Sequence, residues 1–253
     1  MKVLTVLNQK GGVGKTTTAA ALISGLTLKG FKTVGIDLDS QRNLSMTMQA
    51  DTKHKTALGL LTYQCTAEEA IQHTAQGDII AAGKEQAAID TILTGKGKEN
   101  RLKEVIQPLE GKYDYVIIDT PPNIGTLVVN ALIASNSLII TAEADIYSRT
   151  ALEDLTENIE AIQDSLNPSL QVEGILLTRY KGRANLTKML KEAFKEPAEQ
   201  LHTKVFNTTI REGIAIQEAH LTMQSIFDYD IKSNVAQDYA AFIEELLQQM
   251  QNE

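Results

Sequence analysis

Short apolar runs rich in branched residues alternate with longer helical patterns along most of the chain. The strand-like runs lie at 3–7, 32–39, 78–83, 113–122, 137–145 and 172–180. Strands that alternate with helices are joined by right-handed crossovers and pair in parallel, with helices covering both faces of the sheet. The pattern therefore predicts an α/β fold with a mostly parallel central sheet.

Helical patterns follow most of these runs. Helices are expected at 16–30, 124–135, 150–166, 186–194 and 233–251, and shorter ones at 67–73 and 100–109. The remaining parts of 45–77 and 84–110 give no clear period. No stretch is polar enough to serve as a disordered linker, and 253 residues suit one large core. A single domain spanning 1–253 is therefore expected.

The segment NQKGGVGKTT, residues 8–17, lies between the first strand and the first helix. Its three glycines allow backbone N–H groups and the positive helix end to approach a polyphosphate. Lys15 is expected to reach the β- and γ-phosphates, and the Thr16 hydroxyl to hold Mg²⁺. A glycine turn before an ordinary helix is the alternative, but these residues at these offsets favour a phosphate-binding loop. Gln9 occupies the position where the motif G-x-x-x-x-G-K-[ST] has its first glycine.

Carboxylates follow two of the predicted strands. Asp119 comes after the apolar run YVII, where parallel sheets present magnesium-associated carboxylates at their carboxyl edge. Asp37 and Asp39 end the strand after the first helix, and alternation along a strand predicts that both face the phosphates. Either one alone could be a solvated turn residue. Beside a phosphate loop, they favour a nucleotide site.

Composition narrows the possible functions. The single cysteine, Cys65, excludes a disulfide framework within the chain and a thiolate metal centre built from this chain alone. The N-terminus shows no signal segment and no apolar run is long enough to span a membrane, so a cytoplasmic protein is expected. A formal net charge of -8 argues against a strongly basic nucleic-acid binder, but it leaves a local basic patch possible.

Five segments together resemble a known family: KGGVGKTT, DLDSQ, YDYVIIDTPP, GILLTRY and IREGIAIQEAH, in this order. They are similar to the ParA family of DNA-partition ATPases, the deviant Walker A P-loop ATPases, over residues 1 to about 247. Lys10 matches the signature lysine of that class, which explains why Gln9 replaces glycine. The resemblance implies a homodimer that sandwiches two ATP molecules, with Lys10 crossing to the partner's phosphates as an arginine finger does elsewhere.

The resemblance also implies residue roles in ATP hydrolysis to ADP and phosphate. Asp39 would position the attacking water, and Asp119 would hold magnesium through water. The implied catalytic residues are Lys10, Lys15 and Asp39, and the implied metal-binding residues are Thr16, Asp39 and Asp119. The implied ATP/ADP contacts are Lys10, Gly11, Gly12, Val13, Gly14, Lys15, Thr16, Thr17, Asp119, Arg179 and Arg211.

The chain departs from the family pattern in two places. The family usually has DxDPQGN, whereas Ser40 and Arg42 here replace the proline and glycine. A second segment, aligned on Glu218 and Ala219 with the family's EAP, lacks the usual proline and arginine pair. These departures put the motion of the first loop and the Arg211 contact in question.

A local basic excess suggests a DNA surface. Lysine or arginine occupies eight positions between 179 and 211 and glutamate three, an excess of five positive charges. A solvated helix face is the alternative, but YKGRANLTKML resembles the family stretch that binds nonspecific DNA. Arg183 is the first candidate, followed by Lys181 and Lys188, and such contacts read phosphate and not sequence. The resemblance implies double-stranded DNA, a ParB-like centromere-binding stimulator and nucleoid association in the ATP state.

Other functions remain open. A MinD-like membrane ATPase shares these motifs, but the C-terminal DYAAFIEELLQQMQNE is acidic and has no cation for anionic lipid, so no membrane partner is expected. A metallocluster carrier would need paired cysteines. A P-loop ligase or synthase making a small molecule remains possible, as does an ATPase that positions a protein cargo. The expected role is ATP-dependent segregation of plasmid, mobile-element or chromosomal DNA.

Overall fold

Seven strands form one sheet in the computed structural model, which describes residues 1–143, 147–180, 189 and 191–251, without the side chains of 147–151. The strand order is β3-β4-β2-β5-β1-β6-β7. Strand β3 pairs antiparallel with β4, and each other neighbouring pair is parallel. The mostly parallel sheet is therefore confirmed. The strands are β1 (Lys2–Leu7), β2 (Thr33–Asp37), β3 (Ile71–Thr74), β4 (Gly77–Ile80), β5 (Tyr115–Asp119), β6 (Ser137–Glu143) and β7 (Gln171–Thr178).

Helices connect the strands and follow the last one. Three short 3₁₀ segments, Lys84–Ala88, Lys98–Asn100 and Gln107–Leu109, lie between β4 and β5. The described α-helices are α1 (Lys15–Leu28), α2 (Asn43–Thr47), α3 (Ala57–Leu61), α4 (Ala67–Ala70), α5 (Ile89–Ile92), α6 (Arg101–Ile106), α7 (Thr126–Ala134), α8 (Tyr147–Ser165), α9 (Lys195–Gln200), α10 (Ile214–Leu221), α11 (Ile226–Asp230) and α12 (Asn234–Gln251).

Alternation along the strands divides the core between the two faces of the sheet. Leu4 and Val6 of β1 face one side, where they share a buried cluster with α1, α11 and α12. Val3 of β1 and Val116 of β5 face the other side, where they pack with α3, α6 and α7. The predicted covering of both faces is confirmed. Burial on both faces explains why the strands read as continuous apolar runs.

The predicted helix at 67–73 is wrong in its second half. Helix α4 ends at Ala70, and residues 71–74 form β3 instead. A tight hairpin determines this outcome, because Gly77 adopts φ +125° and the Thr74 hydroxyl donates to its carbonyl at 2.7 Å. Pairing with β4 satisfies the backbone of 71–74, and a continued helix would forfeit those bonds.

The other helix predictions differ mainly at their ends. The helix expected at 150–166 begins at Tyr147, and the one expected at 100–109 is α6 with a 3₁₀ turn. Of the helix expected at 186–194, residues 189 and 191–193 are helical, and 186–188 and 190 lie outside the described residues. Within the described ranges, no helix has both the length and the apolar character needed to cross a membrane.

Candidate nucleotide-binding site

A cleft of about 670 Å³ opens at the carboxyl ends of the central strands. The phosphate-loop segment and the first turn of α1 form its floor. One wall is the segment after β2, and the other consists of the end of β7, residues 210–213 and α10. Residues lining the cleft include Gly11, Gly12, Gly14, Lys15, Thr16, Thr17, Asp39, Gln41, Pro122, Arg179, Arg211, Ile216 and His220.

The loop between β1 and α1 has the conformation that its glycines allow. Gly12 and Gly14 adopt φ +76° and +84°, which side chains with a Cβ rarely tolerate. A Cβ at Gly14 would lie 3.5 Å from the Thr178 side chain. The Thr178 hydroxyl donates to the carbonyl of buried Val13 at 2.9 Å. Thr178, at the end of β7, therefore holds the loop in this conformation.

Lys15 projects into the floor of the cleft and is only 7% exposed. Its ammonium donates to the carbonyl of Lys10 at 3.1 Å, within the same loop. Burial lowers the pKa of Lys15, and the nearby carboxylates of Asp119 and Asp39 oppose that change. A buried cation in a ring of backbone groups is suited to a polyphosphate, which would supply the anionic partner.

Thr16 and Asp119 form the pair expected of a magnesium site. The Thr16 hydroxyl donates to Asp119 Oδ2 at 2.7 Å, and Asp119 is fully buried. The other oxygen of this carboxylate, Oδ1, is buried without a hydrogen-bond partner among the described residues. Burial, followed by the charge of Asp37, raises the pKa of Asp119 well above its ordinary value. Hydroxyl and carboxylate oxygens are the ligands Mg²⁺ prefers, so these residues fit the ion.

Asp37 is fully buried and does not line the cleft, contrary to the prediction that it faces the phosphates. Its carboxylate accepts hydrogen bonds from the Ser45 N–H at 2.8 Å, the Ser45 hydroxyl at 2.7 Å and the Asp39 N–H at 3.0 Å. The strand ends at Asp37, so the two-residue alternation does not continue to Asp39. Burial raises the pKa of Asp37 to about 6. Asp37 therefore shapes the segment that carries Asp39.

Asp39 lies in the cleft and is 8% exposed. Its Oδ1 accepts a hydrogen bond from the Gln41 N–H at 2.9 Å, which fixes the start of the following loop. Arg42, where the family pattern has glycine, adopts φ +60° and precedes α2. The left-handed conformation is thus retained although the glycine is not.

Lys10 and Arg179 share one carboxylate at the edge of the cleft. Lys10 Nζ lies 3.3 Å from Glu143 Oε2, and Arg179 Nη1 lies 3.6 Å from Glu143 Oε1. Arg179 also donates to Glu212 at 3.4 Å. Both cations are therefore at the cleft but paired with acidic groups of their own chain.

Arg211 also lines the cleft, but α12 holds its guanidinium. Nε and Nη2 each donate to the Asp238 carboxylate at 2.7 Å, a bidentate pair. Arg211 therefore supports the cleft wall in this conformation. The predicted DNA contacts Lys181, Arg183 and Lys188 lie outside the described residues.

Comparison with known proteins identifies the family. A profile described as an AAA domain matches residues 1–172. The chromosome partitioning protein ParA of Myxococcus xanthus is 32% identical over 251 residues, covering 97% of this chain and 88% of that protein. The sporulation initiation inhibitor protein Soj of Bacillus subtilis is 32% identical over 255 residues, with coverage of 97% and 98%. The chain belongs to the ParA/Soj family of P-loop ATPases.

Solved structures agree with the fold of this ParA/Soj-family chain. Cobyrinic acid a,c-diamide synthase from Mycobacterium smegmatis, with a bound ATP analogue and magnesium, has a TM-score of 0.86 and 27% identity, covering 99% of this chain and 96% of that one. The septum site-determining protein MinD of Pyrococcus horikoshii, complexed with Mg-ADP, has a TM-score of 0.78 and 24% identity, with coverage of 97% and 95%. Nucleotide and magnesium binding therefore occurs among proteins of this fold.

His220 is a cleft residue that the ParA/Soj motifs do not identify. Its Nε2 lies 3.2 Å from the Thr17 hydroxyl, which joins α10 to the first turn of α1. Burial against the cleft lowers the pKa of the ring. Residues 218–220, EAH, align with the family's EAP through Glu218 and Ala219. The histidine at the position of the proline is the one sequence feature that could have identified His220. Thr17 and His220 are 203 positions apart, so no local sequence pattern predicts their contact.

Proposed function

We propose that this chain hydrolyses ATP to ADP and phosphate and acts as a partition ATPase. The observation that carries the proposal is the Thr16–Asp119 hydrogen bond beside buried Lys15, with Asp39 in the same cleft. Family membership supports ATP hydrolysis in general. The cleft supports it here because a phosphate loop and separate carboxylates converge on one space.

The roles follow from the positions of the side chains. Lys15 and the loop N–H groups would bind the phosphates, and Thr17 would contact the α-phosphate side. Thr16 and Asp119 would hold Mg²⁺, with Asp39 near it, and the bound ion would neutralise charge on the phosphate oxygens. Asp39 would orient the attacking water, since its carboxylate lies in the cleft and its Oδ1 is fixed by Gln41.

The proposal includes an ATP-dependent homodimer. Lys10 would leave Glu143 and approach the phosphates of the partner's nucleotide, where a cation stabilises the charge that develops on phosphoryl transfer. Its position at the rim of the cleft, in an exposed ion pair, makes this exchange inexpensive, because such pairs contribute about 0–1 kcal/mol. Arg179 would remain with Glu143 and Glu212.

The proposed dimer binds double-stranded DNA without sequence preference and segregates DNA with a ParB-like stimulator. The name of the chromosome partitioning protein ParA of Myxococcus xanthus supports this role. The basic excess between 179 and 211 supplies the charge for nucleoid association. Four of its described cations are already paired: Arg179 with Glu143 and Glu212, Lys191 with the Asn207 carbonyl, Lys195 with Glu192, and Arg211 with Asp238.

Two substitutions separate binding from hydrolysis. Lys15→Ala is expected to abolish binding of Mg·ATP, because the buried cation at the phosphates is lost. Asp39→Ala is expected to leave binding within a few-fold and to lower hydrolysis by at least roughly 10²-fold, because the attacking water is no longer positioned. Calorimetric titration and phosphate release measure the two effects. Wild-type hydrolysis by Asp39→Ala would contradict the assignment of this carboxylate.

A small-molecule synthase is the second candidate, because the cobyrinic acid a,c-diamide synthase is 27% identical along the whole chain. That reaction class would require a carboxylate or amine co-substrate for ATP turnover. Stimulation of phosphate release by duplex DNA and a partner protein supports partition. Dependence on a small acid or amine instead would favour the synthase. Stimulation by a protein cargo system without DNA would favour a positioning ATPase.

A further inference from the structure

Helix α10 is a thinly anchored wall of the cleft. Ala219 is its buried residue, whereas Ile214 is 71% and Leu221 is 83% exposed. Polar contacts near its end lead away from the phosphate loop: Tyr229 donates to Glu218 at 3.1 Å, and the carbonyl of Met223 accepts from side chains of the 49 and 76 segments. A helix with so little buried surface is readily displaced.

The Thr17–His220 pair links α10 to the first turn of α1. Thr17 is the third residue of α1, so its position relative to the phosphates is set by the loop. The two atoms lie 3.2 Å apart, within hydrogen-bonding distance. Among the described residues, no other side-chain hydrogen bond joins α10 to α1.

The chemistry of the two groups determines how a ligand would affect this contact. A threonine hydroxyl has one proton to donate and lone pairs to accept with. When a phosphate oxygen accepts a hydrogen bond from the Thr17 hydroxyl, the hydroxyl has no second proton to donate. It can then only accept a hydrogen bond from the ring. His220 Nε2–H then completes a chain from ring to hydroxyl to phosphate, and such chains strengthen each of their members. An occupied site therefore favours one tautomer and one position of the ring.

We propose that His220 is a positioning residue that transmits nucleotide binding to α10. The inference rests on the proposed nucleotide site and goes beyond it, since it assigns to His220 a role in ordering a helix and not in hydrolysis. A nucleotide that engages Thr17 strengthens the Thr17–His220 contact and holds α10 against the cleft. Without a nucleotide, α10 keeps a weaker form of this contact, the packing of Ala219 and the polar contacts near its end.

Hydrogen exchange of the full chain with saturating Mg·ADP tests this coupling. Amides of 214–221 in the wild type should exchange roughly three- to tenfold more slowly with Mg·ADP, the effect of one additional hydrogen bond. His220→Ala should bind Mg·ADP but lose that protection. His220→Gln, whose side-chain amide can reach Thr17, should restore it. Gln217→Ala, on the same helix and lining the same cleft, serves as the matched control and should keep it.

Each result decides between alternatives. Full protection in His220→Ala would overturn the inference, because the nucleotide would then contact α10 directly. Loss of protection in both His220→Ala and Gln217→Ala would also overturn it, since general damage to the helix would explain both. Absence of Mg·ADP binding in the wild type, measured by calorimetry on the same samples, would refute the proposed function instead.

Discussion

Two buried carboxylates stand side by side at the ends of neighbouring strands. Asp37 of β2 is paired in register with Asp119 of β5, and both are fully buried. Burial raises the pKa of each, and the charge of Asp37 raises the pKa of Asp119 further. Asp37 is stabilised by three donors, whereas Asp119 retains one oxygen without a partner among the described residues. Asp37 therefore stabilises the local structure, and Asp119 keeps one oxygen available for the proposed magnesium ion.

The raised pKa of Asp37 predicts a dependence of stability on pH. With a folded pKa of about 6 against an ordinary value of 3.8, the folded protein binds more protons than the unfolded chain between these values. Stability should therefore be highest below about pH 4 for this group and fall as the pH rises through 6. The loss approaches about 3 kcal/mol, because one pH unit corresponds to about 1.4 kcal/mol.

Urea unfolding of Asp37→Asn between pH 4 and 7 measures this contribution. The substitution removes the titrating group and should flatten the decline seen in the wild type. Asp39→Asn, two residues along, is the control and should lower the slope less than Asp37→Asn, because the charge of Asp39 makes only a minor contribution to the raised pKa of Asp37. A slope unchanged in Asp37→Asn would show that another group causes the decline.

Sequence predicted the parts of the site that depend on local spacing. The glycines and Lys15 are neighbours in one short segment, so their spacing along the chain is enough to bring them together at the proposed phosphate site. Arg42 illustrates a partial failure, because the departure from glycine was visible but the φ of +60° that it retains was not. The Arg211–Asp238 pair lies beyond sequence reasoning, because it joins segments brought together only by folding.

At the level of elements, long apolar strands were easier to predict than short helices. Strands such as β5 are buried on both faces and appear as uninterrupted apolar runs. Helices of four or five residues, such as α2, α3, α5 and α11, complete only about one turn and show no amphipathic period. Their positions are determined by packing against the sheet and not by local sequence. The same reason accounts for the end of α4 at β3.

A close approach beside β7 provides a test at this scale. The 204–206 segment bonds to the edge of β7 through Ile175, whose N–H donates to the Lys204 carbonyl at 2.9 Å. A Cβ at Gly174 would lie 2.6 Å from the Phe206 ring and 3.0 Å from the Lys204 carbonyl oxygen. Gly174→Ala should therefore separate the segment from β7 and destabilise the protein by about 1–3 kcal/mol.

Thermal unfolding with a matched glycine checks this prediction. A Cβ at Gly59, in α3, would meet its nearest neighbour at 3.4 Å, an ordinary contact. Gly59→Ala should be neutral or stabilise the protein by up to about 1 kcal/mol through helix propensity. Equal unfolding temperatures for the two alanine variants would show that the segment beside β7 adjusts without cost.

For the whole molecule, the proposed dimer depends on Lys10. Lys10→Ala removes an exposed ion pair with Glu143, so the fold and the nucleotide affinity of the monomer should change little. The ATP-bound dimer should weaken at least roughly tenfold, because a cation is lost from the partner's phosphates. Sedimentation velocity with ATP, in an Asp39→Ala background that blocks hydrolysis, measures the dimer.

Glu143→Gln is the control for this experiment. It removes the carboxylate that holds Lys10 within its own chain and should leave dimerisation intact or strengthen it. If the Lys10→Ala dimer were as stable as the parent dimer, Lys10 would be only a solvated loop residue that does not contribute to dimerisation.

The proposed DNA surface can be tested by reversing one charge. With a net charge of -8, the monomer should bind duplex weakly, and an ATP dimer that doubles the contacts should bind roughly 10²-fold more tightly. Arg183→Glu should weaken binding on two unrelated duplexes and lower the salt slope by about 1, while ATP-driven dimerisation persists. Filter binding at several salt concentrations measures both.

Lys195→Glu serves as the matched reversal, because this lysine lies in the same basic segment but is paired with Glu192. Its effect should be smaller than that of Arg183→Glu. Equal effects of Lys195→Glu and Arg183→Glu on DNA binding would indicate a general effect of charge. Equal DNA binding with ADP and with ATP would favour a protein-cargo role over DNA partition.

The strand order also governs when the protein can assemble during synthesis. β1, which leaves the ribosome before the other strands of this sheet, occupies the interior of the sheet between β5 and β6. Its residues 2–6 pair with 115–119, and residues 4–7 pair with 137–140. Closing so long a loop is costly and slows folding. The loop after β1 is therefore made before both strands that flank β1, and a nascent chain completes the proposed nucleotide site only after β6 has emerged.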